Sequence, residues 1–111
     1  NFKKLKQIYA NSFSIVIAAK YESSSLPILE AAKIGTSIIA SNTMPNKELS
    51  NKLKIRLFKV GNPNSLKKEI LYLMDNPSGK KKMIKYNTEL IKRFDWKYTA
   101  LQYIKYFSTN L

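Results

Sequence analysis

Cysteine and histidine are both missing from the 111 residues, and arginine occurs only as Arg56 and Arg93. Without cysteine the chain can form neither disulfides nor thiolate metal sites. Without histidine it has no Ser-His triad, no imidazole metal ligand and no histidine general base of its own. Acidic side chains are scarce as well, with seven against twenty basic ones. No apolar run approaches the length needed to cross a bilayer, and no signal-peptide pattern opens the chain.

What is present describes a folded protein. An apolar share of 44% with 24% charged residues places the chain among globular proteins rather than disordered ones. The length suits one domain with a real core and is too short for two. The formal charge of +13 has two readings: attraction to an anionic partner, or solvated helix faces in a lysine-biased proteome. Specific phosphate and base recognition favours arginine forks. With only two arginines the second reading is preferred, and weak affinity for anionic surfaces follows as a by-product. The chain starts at Asn1 and runs straight into "NFKKLKQIYANS", a helical pattern with Phe2, Leu5, Ile8 and Tyr9 on one face. It reads as the interior of a longer protein.

Along the chain, "FSIVIAA" is a short β-branched run suited to a strand buried on both faces. "LPILEAAKI" follows as a helix, with Pro27 in its first turn and Gly35 as its stop. "TSIIAS" is a second buried strand, so the three elements make a parallel, right-handed βαβ unit. "NTMPN" reads as a turn, "NKELSNKL" as a short helix and "IRLFKV" as an edge strand. Asn62 caps a helix opened by Pro63 and amphipathic through Leu66, Ile70, Leu71, Leu73 and Met74. Asn76-Pro77 breaks it. A further helix spans roughly Gly79 to Lys92, with a solvated cluster Lys80 to Lys82 at its start, and Asp95 caps a last one. The expected fold is α/β: a small parallel sheet, partial Rossmann-like, flanked by helices and followed by a helical C-terminal tail.

One stretch stands out chemically. "YESSSLPILEAAKIG" sets Glu22 and Glu30 eight positions apart around three serines at a helix start. In open parallel sheets ligands sit beyond the carboxyl ends of the strands, where loops lead into helix N-termini. Backbone amides around Ser24, Ser25 and Leu26 would face an anion there, aided by the helix dipole and the serine hydroxyls. Glu30 is no phosphate ligand, but its two acceptor oxygens suit a vicinal diol such as ribose. Glu22 would accept from a second polyol, or stabilise positive charge developing on a sugar ring. Ribose, diphosphate and sugar in sequence describe a sugar nucleotide. Each residue also has a plainer reading: Glu30 as an acid favourably placed near a helix N-terminus, Glu22 as a loop carboxylate, the serines as caps.

The same residues carry a resemblance. Tyr21-Glu22, Leu26-Pro27, Ile28-Leu29, Glu30-Ala31 and Gly35-Thr36 resemble the E-x7-E signature of retaining glycosyltransferases of the GT-B fold, family four. "SIIASNTMPNKEL", "VGNPNSLKKEILYLMDNP" and "RFDWKYTALQYIKYF" resemble the segments that come after it there, in order and with matching spacing. The resemblance implies that Glu30 binds the donor ribose and Glu22 the donor sugar near the reacting centre. Ser23, Ser24, Ser25 and Leu26 would line the diphosphate and the sugar hydroxyls. It implies a UDP-, GDP- or ADP-sugar as donor substrate with no resident cofactor or metal, and a saccharide or lipid-linked acceptor. The setting would be cell-surface polysaccharide or lipopolysaccharide synthesis in the cytoplasm.

Residues 1–111 would then be the C-terminal part of the donor-binding domain, inactive without the N-terminal domain that binds acceptor. The family's turn glycines are replaced here by Ser23 and Ser25, which touches donor fit. Glu48 and the aromatic stripe Trp96, Tyr103 and Phe107 are read as structural, and no motif places Lys20 on phosphate. The lysines would allow peripheral contact with an anionic inner leaflet, which flotation with anionic liposomes checks. Two other classes stand against the enzyme. A basic α/β module for nucleic acid is opposed by the few arginines and the lack of a basic-aromatic strand motif. A non-catalytic, flavodoxin-like interaction domain would ignore sugar nucleotides altogether.

Overall fold

The computed structural model describes residues 2–18 and 26–93. In chain order it contains α1 (Phe2–Ala10), β1 (Ile15–Ile17), α2 (Leu26–Ile34), β2 (Ile38–Ser41), α3 (Met44–Leu49), β3 (Arg56–Phe58), α4 (Pro63–Asp75) and α5 (Pro77–Arg93). The strands form one parallel sheet in the order β1-β2-β3. Val16 lies opposite Ile39, and Ala40 opposite Leu57. The architecture is the expected α/β one, with β3 at an edge.

The sheet is covered by a helical layer on each face. β2 lies between two neighbours and two layers, so all four of its residues are buried. Ile38 and Ala40 point into a core with Ile28, Leu29, Ala31 and Ala32 of α2 and Ile91 of α5. Ile39 points the other way, onto Phe58 and onto Leu73 of α4. Each such isoleucine or leucine contributes about 1.5–3 kcal/mol by leaving water. The fully buried pair Ala31 and Ala32 lets α2 approach the sheet closely. The helix closes at Gly35, whose φ of +98° suits glycine alone among common residues. The Gly35 and Thr36 amides both donate to the Ala31 carbonyl, at 2.9 and 3.0 Å.

Several expectations are corrected. β1 is not buried on both faces: α4 packs over β2 and β3, and Val16 is left 44% exposed. In α1, Tyr9 packs on the core while Ile8 is exposed; the side chains of Phe2 and Leu5 lie outside the described residues. α3 begins at Met44, inside the expected turn, because Pro45 opens the helix. α5 likewise begins at Pro77. On α4 the inward face is Leu66, Glu69, Ile70 and Leu73, while Leu71 and Met74 are 44% and 59% exposed. Glu69 takes a core-facing position because Arg56 of β3 meets it there. The Arg56 Nη2 and Nε both contact Glu69 Oε1, at 2.6 and 2.7 Å, and the guanidinium stacks 3.7 Å from the Tyr72 ring centroid. Asn62 caps α4 as expected, accepting from the Ser65 amide at 3.0 Å.

α5 decides which end of the sheet stays open. Met83 packs in the α4 core and Ile91 in the α2 core, so the helix passes from one layer to the other. On the way Ile84 and Thr88 lie beside Gly35, just before β2. Asn87 grips Lys54, just before β3: its Oδ1 accepts from the Lys54 amide at 2.7 Å and its Nδ2 donates to the Lys54 carbonyl at 3.0 Å. The crossing therefore underlies the amino ends of the strands and leaves their carboxyl ends to the loops. Lys80 is not merely solvated, as its ammonium sits 3.7 Å from the Phe13 ring centroid. Burial there lowers the Lys80 pKa. The expected helix capped by Asp95, and the aromatics Trp96, Tyr103 and Phe107, lie outside the described residues.

Candidate functional site

The carboxyl edge of the sheet is built from three loops. The first joins β1 to α2; Glu22, Ser23, Ser24 and Ser25 belong to it and lie outside the described residues, as does Lys20. The second follows β2 and is tied down by asparagines. The Asn42 amide donates to the Phe58 carbonyl at 2.9 Å, and Asn42 Oδ1 accepts from the Val60 amide at 3.1 Å. Asn46, buried at the start of α3, donates from Nδ2 to the Ser41 carbonyl at 2.9 Å. The third follows β3, where Gly61 takes a φ of +72° and Ser65 Oγ accepts from the Lys59 amide at 2.9 Å. The second and third loops are thus fixed to each other, a rigid rim beside the entrance of α2.

Leu26 opens α2 with an exposed side chain, and Glu30 sits half-buried in the second turn. Four helical steps separate them, about 6 Å along the axis. The first turn holds no acid and Lys33 stands in the last, so the helix keeps its positive end toward the carboxyl edge. Such an end favours an anion, and a carboxylate one turn deeper has acceptor oxygens for hydroxyl donors. Glu48 is exposed on α3. No group of three or more acidic side chains able to hold a metal ion occurs among the described residues.

Glu30 has a neighbour that the sequence pattern places only on an apolar helix face. Tyr9, in the last turn of α1, packs on the core beside α2, near enough for the Glu30 charge to act on its phenol. Burial raises the Tyr9 pKa first, followed by the Glu30 charge. The phenol therefore stays protonated throughout the neutral range. The usable signal is chemical: a half-buried tyrosine needs a partner for its hydroxyl, and Glu30 is the lone acid in "LPILEAAKI". A separate furrow of about 470 Å³ runs along α4 between Asn64, Lys67, Leu71 and Asp75. It is an open surface feature away from the α2 entrance, and no chemistry converges on it.

A small parallel sheet with helices on both faces matches the GT-B glycosyltransferase fold. The model of the family described as glycosyl transferases group 1 matches residues 1–90, and the chain belongs to that family. Among solved structures it is similar to the sucrose-phosphate synthase of Thermosynechococcus elongatus, with a TM-score of 0.78 and 23% identity. That likeness covers 96% of this chain and 27% of the synthase, so the chain spans about a quarter of its length. At this identity the similarity is one of fold. A comparison with curated protein sequences finds no match. Among the described residues no helix is long and apolar enough to cross a membrane.

Proposed function

We propose that the chain is the C-terminal part of the donor-binding domain of a retaining GT-B glycosyltransferase of family four. The complete enzyme would transfer a hexose from a sugar nucleotide to a saccharide or lipid-linked acceptor, in cell-surface polysaccharide or lipopolysaccharide synthesis. The observation that carries this reading is the position of Glu30, one turn inside a helix that starts at the carboxyl edge of the sheet, within a chain of this family. The spacing from Glu22 to Glu30 supports it.

In this reading Glu30 accepts hydrogen bonds from the ribose hydroxyls. The turn from Ser23 to Leu26 meets the diphosphate with amides and hydroxyls. Glu22 faces the sugar ring, where its charge stabilises the oxocarbenium character that develops as the anomeric C–O bond breaks. The electron pair leaves with the nucleoside diphosphate, and the acceptor hydroxyl forms the new bond as it loses its proton. Positioning and electrostatics carry the chemistry, in keeping with a chain that has no histidine.

The test is a binding panel of UDP-, GDP- and ADP-sugars, read by calorimetry or ligand-observed NMR. It compares this chain with a version extended upstream to the complete two-domain enzyme, each with and without Glu30→Ala. The expected result is one nucleotide bound by the longer protein and weakened about 10²-fold by Glu30→Ala, the effect of losing two charge-assisted hydrogen bonds. No nucleotide binding by either protein would replace the reading with that of a non-catalytic interaction domain.

A further inference from the structure

The fold gathers part of the +13 formal charge on one side of α5. The inward side of this helix is spent on the core and on the Lys54 clamp, through Met83, Asn87 and Ile91. Its outward side carries Lys81, Lys82, Lys85, Lys92 and Arg93, all exposed, with Glu89 as the acid among them. At about 100° per residue, Lys81, Lys85 and Lys92 fall within about 40° of one another, a ridge about 16 Å long. Lys81 and Lys85 are like charges one turn apart, which weakens a helix standing alone in water. Beside the ridge Tyr86 is 45% exposed. The exposed Lys54 adds its ammonium 4.9 Å from the Tyr86 ring centroid.

We infer that the outward side of α5 docks on an anionic lipid surface, with Lys81, Lys85 and Lys92 among the headgroups and Tyr86 at their level. A straight ridge lies flat on a plane, so its charges meet the surface together and within reach of one another's fields. A lysine ammonium is a point charge suited to a diffuse field of headgroups. Nucleic-acid phosphates favour arginine forks, and Arg93 is the arginine that this side offers. A tyrosine with an apolar ring and a polar tip belongs at a membrane–water boundary. Since α5 underlies the amino ends of the strands, a surface docked there leaves the carboxyl edge and the entrance of α2 open. The inference is independent of the ribose role proposed for Glu30.

The test is vesicle flotation with the complete enzyme. The vesicles are phosphatidylcholine alone or with about 30% phosphatidylglycerol, in about 0.1 M and about 0.5 M salt. Wild type is compared with Lys81→Gln, Lys85→Gln and Lys92→Gln combined, and with lysine-to-arginine changes at the same positions. A control combines Lys47→Gln, Lys59→Gln and Lys67→Gln, which removes equal charge from exposed positions off α5. Glutamine and arginine form helices about as well as lysine, so the fold is retained, and thermal midpoints verify it. Wild type is expected to float with the anionic vesicles alone and to be released at the higher salt. The glutamine changes on α5 should weaken partitioning about 10²-fold, at about fivefold per lysine, and the arginine changes should keep it. The control should stay within about threefold of wild type, because charges beyond a Debye length of the surface are screened. Equal losses in both glutamine variants would mean net charge without a docking side, and overturn the inference. Equal flotation with neutral vesicles, or none with either, removes the lipid partner. Tighter binding of a DNA or RNA oligonucleotide, lost with the α5 glutamines, would give this side to nucleic acid instead.

Discussion

Replacing Glu22 by glutamine in the complete enzyme should lower kcat by about 10²–10³ and leave donor affinity within a few-fold, as expected for a group that stabilises charge only as it develops. Glutamine has the size of glutamate and keeps one acceptor oxygen for a sugar hydroxyl, so ground-state binding survives. What it lacks is the negative charge opposite an oxocarbenium-like ring. Glu30→Gln should behave in the opposite sense. Ribose contacts are made equally in ground and transition states, so their loss raises KM for the donor and moves kcat little. The two variants of one motif thus separate binding from chemistry in steady-state kinetics. A Glu22→Gln enzyme with an unchanged kcat and a raised KM would reduce Glu22 to a sugar-hydroxyl ligand and move the charge stabilisation elsewhere.

The parts of the fold that are legible in the sequence are those where local chemistry and tertiary context agree. "TSIIAS" holds a central strand because continuous apolar character is what two covering layers require. Gly35 ends α2 and Asn62 caps α4 because each position has one backbone need that few residues meet. The misjudged boundaries share a cause. Pro45 reads as part of a turn and Pro77 as a helix breaker, yet each stands in the first turn of a helix. A proline has the same φ in both roles, and only the residues on its C-terminal side distinguish them.

Periodicity also fails where a polar residue takes an inward position. Leu71 and Met74 count as apolar in any pattern, yet the buried side of α4 includes Glu69, whose desolvation is offset by Arg56 across the layer. That pairing joins residues thirteen apart in sequence, a distance no helical period reports. The exposure of Val16 has the same character. β1 has the composition of a strand covered on both faces, and whether a second layer reaches it depends on where α4 lies. The candidate site divides along this line as well. Two glutamates and a serine turn announce themselves, whereas the nearness of Tyr9 to Glu30 depends on α1 folding back against α2.

Asn87 is a buried residue that patterning leaves unmarked, and Asn87→Ala should destabilise the chain by about 2–4 kcal/mol, a large share of the roughly 5–15 kcal/mol available to a domain. Its side chain is only 1% exposed. It satisfies both polar groups of the Lys54 backbone, at 2.7 and 3.0 Å, as a neighbouring strand would. Alanine would remove the partner of that part-buried amide and carbonyl at the point where the chain enters β3, at about 0.5–1.5 kcal/mol for each hydrogen bond lost. The emptied volume adds a cavity cost. Denaturant unfolding should show a lower midpoint with an unchanged slope, because the compactness of both states is preserved. Asn87→Asp refines the measurement. Aspartate still accepts from the Lys54 amide but faces the Lys54 carbonyl with a second acceptor, so it should rescue little. Near-native stability in Asn87→Ala would mean that packing by Ile84, Thr88 and Ile91 holds α5 under the sheet unaided. The bidentate clamp would then set only its register.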